Sequence, residues 1–286
     1  MRFWVTGASG MLGKEVCAVL RTRELNFVAT DRTLDITNAE AVEQFAAQEP
    51  FTHLVNCAAY TGVDACEADE KTAMCANADG PANLARVARA CGAIAVHVST
   101  DYVFPGTKGV PYEEDDPTGP INAYGRTKLA GETRFRAMLE KAYVVRTSWL
   151  FGDGPNFVAT MLRLFAERPE VRVVDDQIGR PTHALDLASM LVELAVKQPA
   201  PGTYHFANTG QTTWYGLAAA ARNEARARGW KADAAIAKIL TADYPTPATR
   251  PAYSVLSTAK VERELGIIPR SWGEALAAYF DRLAPS

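Results

Sequence analysis

The chain predicts an α/β fold: a doubly wound parallel sheet followed by a smaller C-terminal lobe, in 286 residues. Three observations carry that prediction. Short, nearly continuous apolar runs alternate with amphipathic helical stretches through the first half, the pattern of parallel strands covered on both faces. A glycine-rich turn joins the first run to the first helix. After Leu150 the loops lengthen, and proline gathers at Pro181, Pro199-Ala-Pro201 and Tyr244-Pro-Thr-Pro-Ala-Thr-Arg-Pro251, which marks a change of architecture.

The elements follow in order. Phe3–Thr6 reads as the first strand, and a helical pattern runs from Met11 to about Arg23. Phe27–Thr30 is a second strand closed by Asp31, Ala39–Gln48 a helix and His53–Asn56 a third strand. Asn77–Ala90 reads as one helix, Ala93–Ser99 as the fourth strand and Tyr143–Thr147 as the fifth. Right-handed crossovers between parallel strands wind such elements into a Rossmann-type nucleotide-binding sheet, here residues 1–150. Residues 151–286 read mainly as a substrate-binding lobe, with a helix at Asn156–Glu167, a strand at Val171–Val174 and helices at Leu185–Lys197 and Trp214–Arg228. The helix at 185–197 is expected to rejoin the main sheet, so the boundary is interleaved.

The composition, 48% hydrophobic and 22% charged, is that of an ordinary globular protein, and the net charge of −3 gives no reason to expect nucleic acid. No apolar run is long enough to span a membrane. Met1-Arg-Phe-Trp-Val-Thr6 leads directly into the glycine turn and lacks the n- and h-regions of a signal peptide, so a cytoplasmic protein is expected. The five cysteines include no Cys-x-x-Cys pair and read as free thiols. The four histidines have no ligand spacing, so no zinc site is expected.

Gly7-x-x-Gly10-x-x-Gly13 sits where a dinucleotide is bound. Gly7 permits the tight turn, Gly10 lets the backbone approach a pyrophosphate, and Gly13 allows close helix–strand packing. The helix N-terminus, with Met11 and Leu12, adds free N–H groups and a favourable dipole. Asp31 stands near the offset expected for a carboxylate on the adenosine ribose, while Arg32 beside it suits a 2′-phosphate. NADPH and NADH therefore both stay open. Asp35 and Ile36 are placed to flank the adenine, or alternatively to cap the helix at Ala39. Ala59, Tyr60 and Thr61 end the third strand on the same edge, and Val98 lies near the end of the fourth.

Tyr124 and Lys128 are four apart on a helix and so share a face. A phenol titrates near pH 10, and lowering that by two or three units takes roughly 3–4 kcal/mol. A neighbouring ammonium in a partly dry site supplies such an effect. Thr100 ends the fourth strand, the edge where open parallel sheets bind ligands, and its hydroxyl can donate to a substrate carbonyl. Together these residues point to carbonyl/alcohol redox chemistry, hydride from a nicotinamide and proton from Tyr124.

The chain resembles the extended short-chain dehydrogenase/reductases, and within them the dTDP-4-dehydrorhamnose reductase family. The matching segments are Thr6-Gly-Ala-Ser-Gly-Met-Leu-Gly13, Asn56-Cys-Ala-Ala-Tyr-Thr61 with Val63-Asp64, Val98-Ser-Thr-Asp-Tyr-Val-Phe104, Tyr124-Gly-Arg-Thr-Lys128, Arg146-Thr-Ser-Trp149, Asp176-Gln-Ile-Gly-Arg-Pro-Thr182 and Tyr244–Pro251. The resemblance implies reduction of the C4 ketone of a nucleotide-linked sugar with NADPH or NADH. It implies Tyr124 as proton donor, Lys128 as its partner and Thr100 as third member. It also implies that Thr100, Asp101, Tyr102 and Trp149 face the sugar, and that Thr61 and Val63 lie near both ligands. Arg250 is a candidate for the diphosphate, since arginine matches phosphate oxygens bidentately.

Some relatives hold magnesium through carboxylates at a dimer contact. Glu15 fits one such position, but Leu185 stands where another carboxylate is expected, so no metal is predicted; a homodimer stays open. Asp64-Ala-Cys-Glu67 also reads as a capping box. The alternatives are another nucleotide-sugar epimerase, dehydratase or reductase, or a non-catalytic regulatory subunit of the same fold. Dehydratases typically follow the threonine with an Asp-Glu pair; here Tyr102 follows Asp101.

Overall fold

In each central strand the side chains alternate between two buried faces, which is why the apolar runs are nearly unbroken. The computed structural model describes residues 1–283. Its first half runs β1 (Arg2–Thr6), α1 (Met11–Thr22), β2 (Asn26–Thr30), α2 (Ala39–Gln48), β3 (His53–Asn56), α3 (Val63–Ala68), α4 (Glu70–Met74), a π-helical turn (Cys75–Asp79), α5 (Gly80–Ala90), β4 (Ile94–Thr100), α6 (Ala123–Met138) and β5 (Ala142–Thr147). The second half runs β6 (Leu150–Phe151), α7 (Phe157–Glu167), β7 (Glu170–Val174), β8 (Ile178–Gly179), β9 (Thr182–His183), α8 (Ala184–Lys197), β10 (Gly202–His205), β11 (Thr212–Thr213), α9 (Trp214–Ala227), β12 (Ala235–Ile239), α10 (Ala259–Leu265) and α11 (Trp272–Arg282).

Six strands form one parallel sheet in the order β2-β1-β3-β4-β5-β10. The chain runs outward from β1 to β2, then resumes on the other side of β1 with β3. This reversal opens a crevice at the carboxyl ends of β1 and β3, the usual ligand position in such sheets. Phe3, Val5, Val55, Val96 and Val145 point to the face covered by α1 and α8, with α10 at its margin. Trp4, Leu54, Ala95 and Val144 point to the opposite face, under α2, α5 and α6. Each fully buried Val, Leu or Phe among these contributes roughly 1.5–3 kcal/mol.

The chain re-enters this sheet twice after Leu150, through α8 on one face and β10 at the edge. Strand β10 lies among residues whose prolines and glycine signal a loop, and its pairing with β5 makes it a strand. The rest of the second half packs α7, α9, α11 and the parallel pair β7–β12 around a separate apolar cluster.

One element differs from its sequence pattern. The single helix expected from Asn77 starts earlier, at α4, and passes through the π-helical turn before α5. Asn77 is fully buried in that turn. Its side chain donates to the Tyr60 carbonyl at 3.0 Å, accepts from the Tyr60 N–H at 2.8 Å and donates to Thr127 Oγ1 at 3.1 Å. The π-turn thus ties the loop after β3 to the helix that carries Tyr124 and Lys128.

Candidate active site

At the first strand–helix junction Gly7 has φ of +68°, and a Cβ there would lie 2.7 Å from Ala58 N, because the segment leaving β3 crosses against the turn. A Cβ on Gly13 would overlap the Gly7 carbonyl oxygen. Gly10 caps α1 without a side-chain bond, so the first-turn N–H groups are free to meet an anion. Met11 is half-buried in this turn, and Leu12 packs into the core beneath it. A backbone cradle with no side chain in it and an uncapped helix start suit a dinucleotide pyrophosphate.

At the end of β2, Asp31 accepts from Thr33 N at 3.0 Å, and Arg32 is exposed. Asp35 accepts from Thr37 N at 2.9 Å, but the cap of α2 is Asn38, which accepts from Ala41 N at 3.1 Å. Ile36 is buried in the core with Trp4, Val42 and Leu84. Across the crevice, Ala59 and Thr61 are exposed while Tyr60 and Val63 are half-buried.

The register of β4 and β5 pairs Thr100 with Thr147, so both strands end together. Thr100 Oγ1 accepts from Tyr102 N at 3.2 Å and donates to Asp101 Oδ1 at 3.0 Å. Helix α6 is fixed at its start from two sides. Asn122 accepts from Gly125 N at 2.8 Å and donates to the Thr249 carbonyl at 2.8 Å, while Glu67 accepts from Ala123 N at 2.6 Å. This sets Tyr124 edge-to-face with Tyr102, ring centres 5.8 Å apart. Burial raises the Tyr124 phenol above its ordinary pKa, hydrogen bonding to Thr100 opposes this, and nearby Asp101 reinforces it.

Lys128 is 2% exposed. Its Nζ donates to the Val98 carbonyl at 2.7 Å and lies 3.5 Å from His97 Nε2. Burial lowers its pKa to about 8, with Glu132 and Cys57 pulling the other way. The Lys128 ammonium makes its hydrogen bond to β4 and not to the Tyr124 hydroxyl.

Two rows of polar side chains run across the α6 face of the sheet, and the sequence reading missed both. Thr6, Asn56 and His97 are register partners on β1, β3 and β4. Thr6 Oγ1 is 2.7 Å from Asn56 Oδ1, and Asn56 Nδ2 is 2.9 Å from His97 Nδ1. Two residues along, Ser99, Arg146 and His205 are partners on β4, β5 and β10. The first row ends at Lys128 and the second at Glu132, one helical turn apart on α6. The available signal was polar residues on alternate positions of otherwise apolar strands.

On the substrate side, Asp101 is 2% exposed and its Oδ2 has no partner. Its pKa is raised to about 7 by burial, against the nearby Ser254 hydroxyl and the hydrogen bond from Thr100. Trp149 adopts a left-handed backbone, φ +45°, and its indole stacks on Trp214 at 3.6 Å and 9°. Arg250 is already engaged: its Nη1 and Nη2 donate to Asp64 Oδ1 and Oδ2 at 2.5 and 2.8 Å, tying the proline-rich loop to α3. The expected capping box at Asp64 and Glu67 does not form, since Gly62 is the uncapped start of α3. Asp64 serves Arg250 instead, and Glu67 the start of α6. Glu15 is buried and paired with Arg282 at 2.8 Å.

A family model described as the RmlD substrate binding domain matches residues 1–284. The dTDP-4-dehydrorhamnose reductase of Streptomyces griseus is 47% identical, over 99% of this chain and 94% of that protein. The chain belongs to the dTDP-4-dehydrorhamnose reductase family. Within the same range of similarity is a dTDP-4-keto-6-deoxy-D-glucose reductase of Streptomyces niveus, 42% identical over 99% of this chain and 97% of that protein. The crystal structure of the Bacillus anthracis dTDP-4-dehydrorhamnose reductase in complex with NADP superposes with a TM-score of 0.93 at 37% identity, covering 99% of each chain. Membership of this reductase family makes the chain an NAD(P)-dependent oxidoreductase.

Proposed function

We propose that this chain reduces the C4 ketone of dTDP-4-dehydro-L-rhamnose to dTDP-L-rhamnose with NADPH or NADH. The observation that carries the reading is Tyr124 set against Thr100 at the end of β4, with Lys128 one turn along the same helix on Val98, in a chain matched to the family over its length.

Gly7, Gly10 and Gly13, with the α1 N-terminus, would hold the dinucleotide pyrophosphate, and Asp31 and Arg32 the adenosine ribose. A reduced nicotinamide held by these residues would supply the hydride for the ketone carbon. Tyr124 gives its phenolic proton to the C4 oxygen; its raised pKa keeps that proton in place at neutral pH. Thr100 would turn its one hydroxyl proton from Asp101 to the same oxygen. Lys128, anchored on Val98, sets the electrostatics behind Tyr124. Asp101, Tyr102 and the Trp149–Trp214 stack form the sugar side, with Thr61 and Val63 between the two ligands. Tyr102 in place of a second carboxylate leaves no acid–base pair for dehydration.

The likeness to the Streptomyces niveus protein supports a second substrate, the 4-keto-6-deoxy-D-glucose nucleotide. Loss of reduced-nicotinamide absorbance, measured with each ketosugar against NADPH and NADH, ranks substrates and cofactors together. Tyr124→Phe should abolish turnover while leaving cofactor binding in place. Equal turnover in that variant would overturn the assignment of Tyr124.

A further inference from the structure

The row Thr6–Asn56–His97 ends on Lys128 in a way that determines where the His97 proton lies. Asn56 Oδ1 accepts from the Ala58 N–H at 3.0 Å, a donor with no alternative role, and sits 2.7 Å from Thr6 Oγ1. The Asn56 amide is therefore oriented, and its Nδ2 hydrogens face His97 Nδ1 at 2.9 Å. Nδ1 must accept. A neutral imidazole that accepts at Nδ1 carries its proton on Nε2. His97 is fully buried, packed against Phe135 at 5.2 Å, and burial with the adjacent Lys128 charge keeps it neutral.

The Nε2–H then faces Lys128 Nζ at 3.5 Å. An ammonium offers only donors to it, and the two N–H groups repel. A free amine offers a lone pair and accepts. We propose that His97 is a positioning residue for this reaction: Asn56 holds its proton on Nε2, and that N–H favours the free amine of Lys128 over the ammonium. The proposal rests on the reading of Lys128 as the partner of Tyr124.

Other groups bear on the same nitrogen. Glu132, one turn along α6, and Cys57, after β3, both favour the ammonium. Tyr124, one turn earlier on α6, is neutral at ordinary pH. His97 is the group on β4 that opposes the charge, in concert with burial. Burial brings the Lys128 pKa to about 8, and the His97 N–H adds to that lowering, so Lys128 can exchange a proton during turnover.

The first test is a long-range proton–nitrogen NMR spectrum of the full chain without ligands, with His97 assigned through His97→Gln. The expected result is the Nε2–H tautomer, neutral from about pH 6 to about pH 10, with ring shifts that follow the Lys128 titration. Lys128→Met should remove that titration. An Nδ1–H tautomer, or a titration unchanged in Lys128→Met, overturns the proposal. The second test is the alkaline limb of the pH profile of kcat. His97→Phe, which has no donor, should move it upward by about one unit, a tenfold change in the proton equilibrium. His97→Gln, whose amide can donate, should stay near the parent. Equal shifts in both overturn the proposal. The spectrum needs no substrate, so a wrong ketosugar and a wrong tautomer fail separately, and it needs no folded His97→Phe.

Discussion

Glu132 receives Arg146 in a two-pronged ion pair, Nε to Oε1 at 2.9 Å and Nη2 to Oε2 at 2.7 Å, with both side chains almost fully buried. Ser99 donates to the same carboxylate at 2.5 Å. The pair joins β5 to α6 one turn beyond Lys128, so the helix carrying the reactive residues is bolted to the sheet by a charge that has no solvent.

Breaking this pair from one side leaves a buried charge unmatched. Glu132→Gln should cost about 3–5 kcal/mol in urea unfolding. Glu132→Leu with Arg146→Met should recover much of that loss, since removing both charges also removes their desolvation. If the double variant is no better than Glu132→Gln, the pair is not acting through its charge.

Asp64 and Arg250 are a different case, because Asp64 is well exposed. Arg250→Ala should change stability by less than about 1 kcal/mol. It should nevertheless raise the KM for the ketosugar nucleotide, by freeing the loop at 244–251 from α3, with kcat nearly kept. Asp64→Asn should loosen the same loop while leaving the arginine free. A raised KM in Arg250→Ala alone would mean that Arg250 meets the substrate itself.

A Cβ on Gly179 would overlap the indole of Trp149, which is already held in a left-handed backbone conformation between Gly179 and Trp214. Gly179→Ala should displace that indole and lower kcat/KM by about tenfold or more. The dissociation constant for NADPH, read by fluorescence titration, should not move. A matching loss of NADPH affinity would place Trp149 outside the sugar side.

Asp101 should leave a mark on the pH dependence of stability. Its carboxyl titrates near 3.8 when unfolded and at about 7 when folded, so between those values the folded chain holds a proton that the unfolded chain has lost. Stability therefore falls as pH rises through that window. Asp101→Asn should remove the fall, and its stability relative to the parent should grow from about pH 4 to about pH 7. A difference that stays constant with pH would show Asp101 ionised in the folded state.

The parts of this site read from sequence are those whose chemistry is local. Gly7, Gly10 and Gly13 report a backbone conformation within one turn, and Tyr124 and Lys128 share a face through helix geometry alone. Thr100 is recognisable because an apolar strand stops there. By contrast, β10 looks like a loop until β5 pairs with it. The helix expected at Asn77 gave no sign of its π-helical turn, which the contacts of Asn77 with Tyr60 and Thr127 accompany.

The succession of strands and helices through β5 and the proposal of Thr100, Tyr124 and Lys128 as reactive residues came from the sequence itself, because each follows from periodicity or from a short motif. What Lys128 touches was decided only by the tertiary structure. Its partners His97 and Val98 come from β4, and the register of parallel strands that aligns Thr6 and Asn56 behind His97 depends on pairing between segments far apart in the chain. The same holds for Arg250 and Asp64, separated by 186 residues. A side chain's type fixes what bonds it can make, and only the folded chain fixes which of them it makes.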